Sequence, residues 1–446
     1  MKKQYPDLLN DNVSRLFRKY LVPSISATLV TSIYILADTV MIGRGVGSLG
    51  IAALNILLPL FSLFFATGMM FGVGGSVLFS VAKGRGDEKA AKEHFTAALA
   101  GAFVMAVFYE VTCNLFFDPI TAVLGRNEAM DALVREYGRI LVAGAPVFMA
   151  SSFLQAFVRN DKAPKRAMAA VISGGVLNVV LDYLFIFPMG MGMAGGAIAT
   201  VIGSGVTVAI LLSHFLSPHN TLKLTRQFHP KQVFEALGNG LSSFVVDLSS
   251  GIVIFLFNRQ LLAYVGDLGV VVYGIISNSA LIVNSVCNGI CQASQPIMAV
   301  NFGAGKRDRV EQTRRLALGT AFAAGTLFAV LGILSPGLLV EIFVEPTPEI
   351  TEMAVPAVRI YFVGFAATGM NLLFATYFQS VLKPGSALAL SLARGMVFNA
   401  ALVFLLPVFL GVTGIWATMP VTEAATLALD VFLLFRGRKP RPAVEY

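Results

Sequence analysis

Charge is scarce in this chain. Asp, Glu, Lys and Arg make up 13% of its 446 residues, whereas hydrophobic residues make up 56%. Mean hydropathy is +0.76, which excludes an ordinary soluble globular protein. Three cysteines, Cys113, Cys287 and Cys291, form no disulfide or metal-ligand pattern. Cys287 and Cys291 share a helix face inside an apolar run and read as small packing residues. The four His (His94, His214, His219, His229) sit at segment ends or in loops without ligand spacing. With no His at the centre of an apolar run, an embedded enzyme is disfavoured, and no cofactor is expected. The start, Met1-Lys2-Lys3-Gln4-Tyr5-Pro6-Asp7, lacks a cleavable signal pattern. No loop resembles a selectivity filter, which disfavours a channel.

What is present is apolar length. Twelve runs of about 20 residues or more are each long enough to cross a hydrocarbon core of roughly 30 Å. They lie at 21–43, 51–82, 95–117, 131–158, 167–187, 195–217, 236–265, 270–301, 316–344, 351–380, 386–408 and 414–435. The expected fold is therefore all-α and integral to the membrane. Net charge is +8, but most of the 33 Lys and Arg fall in the N-terminal segment, the tail and alternate loops. That is the positive-inside pattern rather than a nucleic-acid surface, and it puts both termini in the cytoplasm. The opposite loops hold only Arg44, Arg126 and Arg135.

The two halves resemble each other. Lys83-Gly84-Arg85-Gly86-Asp87 answers Phe302-Gly303-Ala304-Gly305-Lys306, and Lys162 pairs with Lys383 at the spacing that pairs Asn178 with Asn399. Equivalent points lie six spans apart, so the two six-helix repeats are parallel, a transporter architecture with the pathway between the halves. The divisions expected are 1–20 (N-terminus), 21–217 (first lobe), 218–235 (linker), 236–435 (second lobe) and 436–446 (basic tail).

Polar residues inside the runs are few enough to weigh singly. Asn178 and Asp182 are four apart on one helix face. An Asp at a membrane helix centre costs roughly 2.5–3.5 kcal/mol, so such a residue is normally paired or functional. Helix direction puts Asp38, Asp182 and Thr200 at one depth, about 6–9 Å below the outer ends. Asp38, Asn178, Asp182 and Thr200 thus form a candidate oxygen-rich site for Na⁺, or for a proton shared between carboxylates. The second half has Val403 opposite Asp182 and approximately Phe257 opposite Asp38, so one site, in the first half, is expected. Arg394 is expected to pair with Asp247 or Asp430, and Glu423, mid-span, is a candidate for a central cavity. Pro23 is either a hinge in the first span or a proline near its start.

These residues resemble the multidrug and toxic compound extrusion (MATE) transporters. The resemblance rests on Ala37-Asp38-Thr39-Val40-Met41-Ile42-Gly43, Leu177-Asn178-Val179-Val180-Leu181-Asp182 and Gln292-Ala293-Ser294-Gln295-Pro296-Ile297-Met298 running into Asn301-Phe302-Gly303-Ala304-Gly305. It implies a V-shaped pair of six-helix bundles in the cytoplasmic membrane. It also implies export of amphipathic, usually cationic compounds in exchange for inward Na⁺ or H⁺; a monomer is expected. In the archaeal and DNA-damage-inducible-type branch, an Asp, Asn, Asp and Thr match Asp38, Asn178, Asp182 and Thr200. The resemblance further makes Pro23 a bending position and matches Tyr137 to a tyrosine of the first lobe; Tyr137, Glu423 and Asp247 are the candidate substrate-cavity residues. Another branch has acidic residues in spans 7 and 10, where this chain has Ser250 and the 368–371 region, with Asp247 a turn from the first. The alternative within the larger superfamily is a lipid-linked saccharide flippase, which calls for several cationic residues lining the cavity.

Overall fold

The computed structural model describes residues 6–436. Among these the chain is helical throughout, in seventeen α-helices. In the first half they are α1 (Val13–Gly45), α2 (Ser48–Arg85), α3 (Glu88–Leu115), α4 (Phe117–Val123), α5 (Asp131–Ala143), α6 (Ala145–Asn160), α7 (Pro164–Ile186) and α8 (Gly192–Leu212). In the second they are α9 (Pro230–Tyr264), α10 (Asp267–Gly303), α11 (Arg307–Leu334), α12 (Pro336–Phe343), α13 (Pro348–Val363), α14 (Phe365–Ser380), α15 (Pro384–Leu392), α16 (Asn399–Leu410) and α17 (Val412–Arg436). A π-helical turn, Ala393–Phe398, joins α15 to α16. Among the described residues eleven spans are long and apolar enough to cross a membrane, with α13–α14 and α15–α16 each counted as one, and twelve if the bent pair α5–α6 is one span as well. This is a multi-pass membrane protein. Lys2, Lys3 and the basic residues beyond Arg436 lie outside the described residues.

Local chemistry sets the helix ends. The Asn12 side chain accepts from the Arg15 amide (3.2 Å) and opens α1, and Asp87 accepts from the Ala90 amide (2.9 Å) to open α3. Gly86, at φ 78°, closes α2 in the left-handed conformation that glycine adopts without strain. Four expected spans differ from the observed helices. The run 131–158 breaks at Gly144, before Pro146, and α5 and α6 meet at 50°. The run 316–344 stops at Leu334 because Pro336 opens a separate short helix. The run 351–380 breaks at Gly364, and 386–408 contains the π turn. Proline removes a backbone donor and clashes with the preceding turn, and the hydropathy of a run does not register this.

α1 begins at Val13, eight residues before its apolar run, so Pro23 is an interior proline and buried. It removes the hydrogen bond that its amide would give to the Lys19 carbonyl. Below Pro23 the chain is held firmly. Asn301 Nδ2 donates to the Leu8 carbonyl (3.0 Å), and Arg309 donates to the carbonyls of Leu8 (3.1 Å) and Asp11 (2.7 Å).

Packing divides the described chain into two compact units. The first takes in the chain up to Leu248, with Gln292–Arg314 and Ser380–Leu382. The second takes in Ser249–Cys291, Arg315–Gln379 and the chain from Lys383. Glycine explains why parts of α9 and α10 belong to the first unit. A Cβ on Gly74 would lie 2.0 Å from the Ala236 carbonyl oxygen, and one on Gly240 would lie 1.8 Å from that of Met70. The repeat-related glycines Gly84 and Gly303 make reciprocal contacts, 2.0 Å to Val300 O and 2.1 Å to Val81 O. α2 therefore touches α9 and α10 backbone to backbone, at the end that carries the basic loops. At the opposite end Arg126 and Arg135 are tied to Asp118 (2.7 Å each), and the Arg126 guanidinium holds the Asp118 carboxyl below the usual carboxylate range.

The turn before α7 corrects the repeat register. Lys162 (φ 62°) and Leu382 (φ 54°) are the two non-glycine residues at positive φ among those described, and each stands two residues before a helix-opening proline. Lys162 therefore corresponds to Leu382, not Lys383. Asn178 still corresponds to Asn399, so the second half carries one extra residue between the proline and the asparagine, and the π turn absorbs it. Because the glycine contact leaves no room for a side chain, Gly303→Val is expected to cost about 1–3 kcal/mol through overpacking. A lowered melting temperature of the purified protein, with Gly319→Val (nothing within 4 Å) as the control, checks this.

Candidate functional site

The candidate site lies in the first unit. α1 supplies Asp38, α7 supplies Asn178 and Asp182, α8 supplies Thr200, and α5 adds Tyr137. Small residues let these helices close up. A Cβ on Gly174 would fall 2.0 Å from Thr207 Oγ1, and one on Gly203 would fall 2.8 Å from the Asn178 Cβ. α7 and α8 pack tightly as a result, and their polar positions meet. Asn178 Nδ2 donates to Thr200 Oγ1 at 3.4 Å, and Thr200 Oγ1 donates to the Gly196 carbonyl at 3.0 Å.

The remaining oxygens have no protein partner. Both carboxylate oxygens of Asp182, Oδ1 of Asp38 and Oδ1 of Asn178 are buried and accept no hydrogen bond. Asp182 is 0% exposed. Asp38 lies within electrostatic range of Asp182, and neither forms an ion pair among the described residues. The Tyr137 hydroxyl is in hydrogen-bonding contact with Thr200 and within electrostatic range of both carboxylates. A cavity of about 30 Å³, with Asn178, Thr200, Gly203, Ser204 and Tyr34 in its lining, opens beside the cluster. That volume suits one or two small polar guests. Chemically, the site offers two carboxylates, a carboxamide and hydroxyls with no fixed cation: it can take a proton or a hard monovalent cation.

The structure gathers Asp38, Asn178, Asp182, Thr200 and Tyr137, and adds Tyr34, which the sequence pattern had not singled out. Tyr34 is four residues before Asp38 on α1 and within its electrostatic range. The i, i+4 spacing that marks Asn178 and Asp182 would have found it. Tyr137 is buried within this cluster instead of lining an open cavity.

Glu423 is not a free cavity group either. It is 1% exposed and paired with Arg394, whose Nη2 lies 2.7 Å and Nε 2.9 Å from Glu423 Oε1; Asn371 Nδ2 also donates to it. Arg394 therefore takes Glu423 as its partner where the sequence offered Asp247 or Asp430. The π turn, which the sequence pattern does not announce, sets the direction of Arg394. Asp247 lies in α9 and makes no ion pair within its own unit among the described residues. At the positions that repeat Asp38 and Asp182, the second unit has Phe257, stacked on Tyr273 at 4.9 Å and edge-on to Tyr361 at 6.1 Å, and a buried Val403.

The described chain is thus a bundle of apolar, membrane-spanning helices in two repeats, with buried carboxyls that lack a fixed partner in both. The MatE family profile matches residues 23–184 and 240–405, one copy in each half, and the chain belongs to that family. It is similar to the multidrug export protein MepA of Staphylococcus aureus strain MSSA476, 23% identical over 424 residues that cover 94% of this chain and 93% of the relative. The MepA of Staphylococcus saprophyticus is 24% identical over 422 residues, covering 94% and 93%. Among solved structures, the fold matches an outward-facing multidrug resistance MATE transporter of the MOP superfamily, with a TM-score of 0.90, 23% identity and 98% of each chain covered. It also matches a MOP superfamily transporter from Pyrococcus furiosus described as having a binding pocket of reverse polarity, with a TM-score of 0.90, 22% identity and 97% and 98% covered. The fold is thus the twelve-helix fold of the MATE transporters.

Two outcomes follow from this geometry. Removing Arg394 strands a buried carboxylate, so Arg394→Met is expected to cost about 3–5 kcal/mol, with Glu423→Gln restoring much of it. Thermal unfolding of the single and double variants checks this. At the candidate site, a ligand at ten times its Kd stabilises by about 1.4 kcal/mol. Adding Na⁺ or acidifying is therefore expected to raise the melting temperature of wild type by a few degrees and that of Asp182→Asn by less.

Proposed function

We propose that this protein is a secondary active exporter of amphipathic, cationic compounds, driven by inward movement of Na⁺ or H⁺ through the Asp38, Asn178, Asp182, Thr200 site. The observation that carries the reading is the set of buried carboxylate oxygens without partners. In a membrane interior such groups are neutralised by an ion or a proton, and an exchangeable neutraliser is what a coupled transporter needs. The names of the staphylococcal relatives, multidrug export proteins, support drug export. The flippase alternative is weaker, because Arg394 is committed to Glu423 and does not offer a free cation.

In this reading the chain lies in the cell membrane as a monomer with its basic loops in the cytoplasm, and each lobe moves as a body between outward- and inward-facing arrangements. The coupling ion favours one arrangement and the substrate the other; without that difference no coupling arises. One charge crossing 100 mV contributes about 2.3 kcal/mol per cycle. Pro23 separates the clamped start of α1 from the part that carries Asp38, which suits a hinge that transmits ion occupancy. No catalytic residue or cofactor enters this mechanism.

Substrate efflux from proteoliposomes under separately imposed Na⁺ and H⁺ gradients tests the proposal. Efflux is expected to follow one gradient and to fall at least tenfold in Asp38→Asn and Asp182→Asn. Efflux indifferent to both gradients, or intact in the variants, would overturn it.

A further inference from the structure

The second unit contains a buried carboxyl that takes no part in the Arg394–Glu423 ion pair. Asp430 is 0% exposed, and neither of its carboxylate oxygens has a hydrogen-bond partner. It lies within electrostatic range of Arg394 and Glu423. Glu423 alone holds that guanidinium, through two short contacts of 2.7 Å and 2.9 Å, and Asp430 makes no hydrogen bond to it. An ionised Asp430 would leave a net negative charge inside an apolar bundle, which is strongly unfavourable.

The surroundings show that this is a built polar site. Thr418, Thr422, Thr426 and Asp430 recur every four residues, so they form one stripe along α17, and all are at most 1% exposed. Thr426 Oγ1 donates to the Thr422 carbonyl (2.8 Å), while Thr422 Oγ1 and Asn371 Oδ1 are buried without partners. Packing alone would place apolar residues on such a face. Independently, Arg394 lies in the π turn that absorbs the one-residue insertion relative to α7. Asn399 Nδ2 donates to the Arg394 carbonyl and fixes that turn. π turns of this kind concentrate at functional sites. Among the described residues, the other titratable groups near this centre are Tyr361 from α13, Cys287 and Cys291 from α10, and Tyr377 of α14, which packs in one cluster with Leu427 and Leu433 of α17. α15 and α16 bring no titratable side chain.

We propose that Asp430, with the Arg394–Glu423 pair, forms a second, proton-specific exchange site in the second unit. A proton suits it where a metal cation does not, because a proton needs no cavity and no ligand shell. Protonation makes an O–H bond on one Asp430 oxygen and leaves the Arg394–Glu423 pair intact and the site neutral. Release breaks that bond and returns the proton to a water molecule that reaches Asp430 when the site is exposed; α17 ends six residues further on, at Arg436. The Asp430 carboxylate left behind competes with Glu423 for Arg394. This site is separate from the Asp38–Asp182 cluster and does not depend on the reading of that cluster.

Infrared difference spectra of the full-length protein in lipid, acid minus alkaline, test it through the protonated-carboxyl band. A titrating band is expected in wild type, retained in the Asp38→Asn/Asp182→Asn double variant, and lost when Asp430→Asn is added. Loss of every titrating carboxyl band in the double variant, or a band unaltered by Asp430→Asn, would overturn the proposal. Should Asp430→Asn fail to assemble, Thr426→Val leaves both carboxyls in place and is expected to shift the band or its midpoint; an unshifted band contradicts the site. Efflux that ignores both ion gradients would defeat the coupling reading of the first unit, whereas the Asp430 band would still titrate.

Discussion

A carboxylate inside a membrane-spanning bundle must be neutralised, because the surrounding helices and lipid offer neither water nor mobile counter-ions. The polar design of this protein follows from that constraint. Glu423 meets it with a fixed partner, Arg394, at 2.7 Å. Asp38 and Asp182 have no fixed partner, and neither does Asp430. In the proposed mechanism this contrast separates a structural charge from charges available for exchange. An ion pair formed at assembly stays formed, whereas a carboxylate lacking a built-in cation must borrow a neutraliser from solution. Borrowing and returning that neutraliser is the elementary act of a coupled transporter, and the proposed function rests on it.

The two repeats meet the constraint differently from one ancestral pattern. In the first, small residues on α7 and α8 bring an amide, two carboxylates and hydroxyls to one level. In the second, the matching positions hold stacked aromatics and Val403, and the charged groups sit instead on α17 and in the π turn. One added residue moves Arg394 to where it can reach Glu423. The glycine contacts between α2 and the basic-end segments of α9 and α10 keep the repeat symmetry where the backbones must touch. Symmetry is thus kept in packing and lost in chemistry.

Much of this was legible in the sequence. Hydropathy marks each membrane helix because lipid demands continuous apolar length, and Asn178 with Asp182 stands out because a helix repeats every 3.6 residues. Depth put Asp38, Asp182 and Thr200 at one level and helix spacing added Asn178, whereas Tyr137 came only from the family resemblance. Three features were not legible. The breaks at Gly144 and Pro336 hide inside apolar runs. The partner of Arg394 depends on a π turn that hydropathy does not register. The match of Lys162 to Leu382 is set by backbone conformation, while residue identity suggested Lys383. Tyr34 was within reach of the same i, i+4 logic that found Asn178 and Asp182.

In the proposed mechanism the Asp38–Asp182 cluster holds an exchangeable cation. Counting protons taken up by the purified protein on acidification, with and without Na⁺, tests it most directly. Two interacting carboxylates titrate as a pair, so the Asp38→Asn/Asp182→Asn double variant is predicted to take up about one proton fewer than wild type. Na⁺ is predicted to suppress that uptake if it binds the same oxygens. Equal uptake by wild type and the double variant, unaffected by Na⁺, would show that these carboxylates carry no exchangeable ion and would contradict the account.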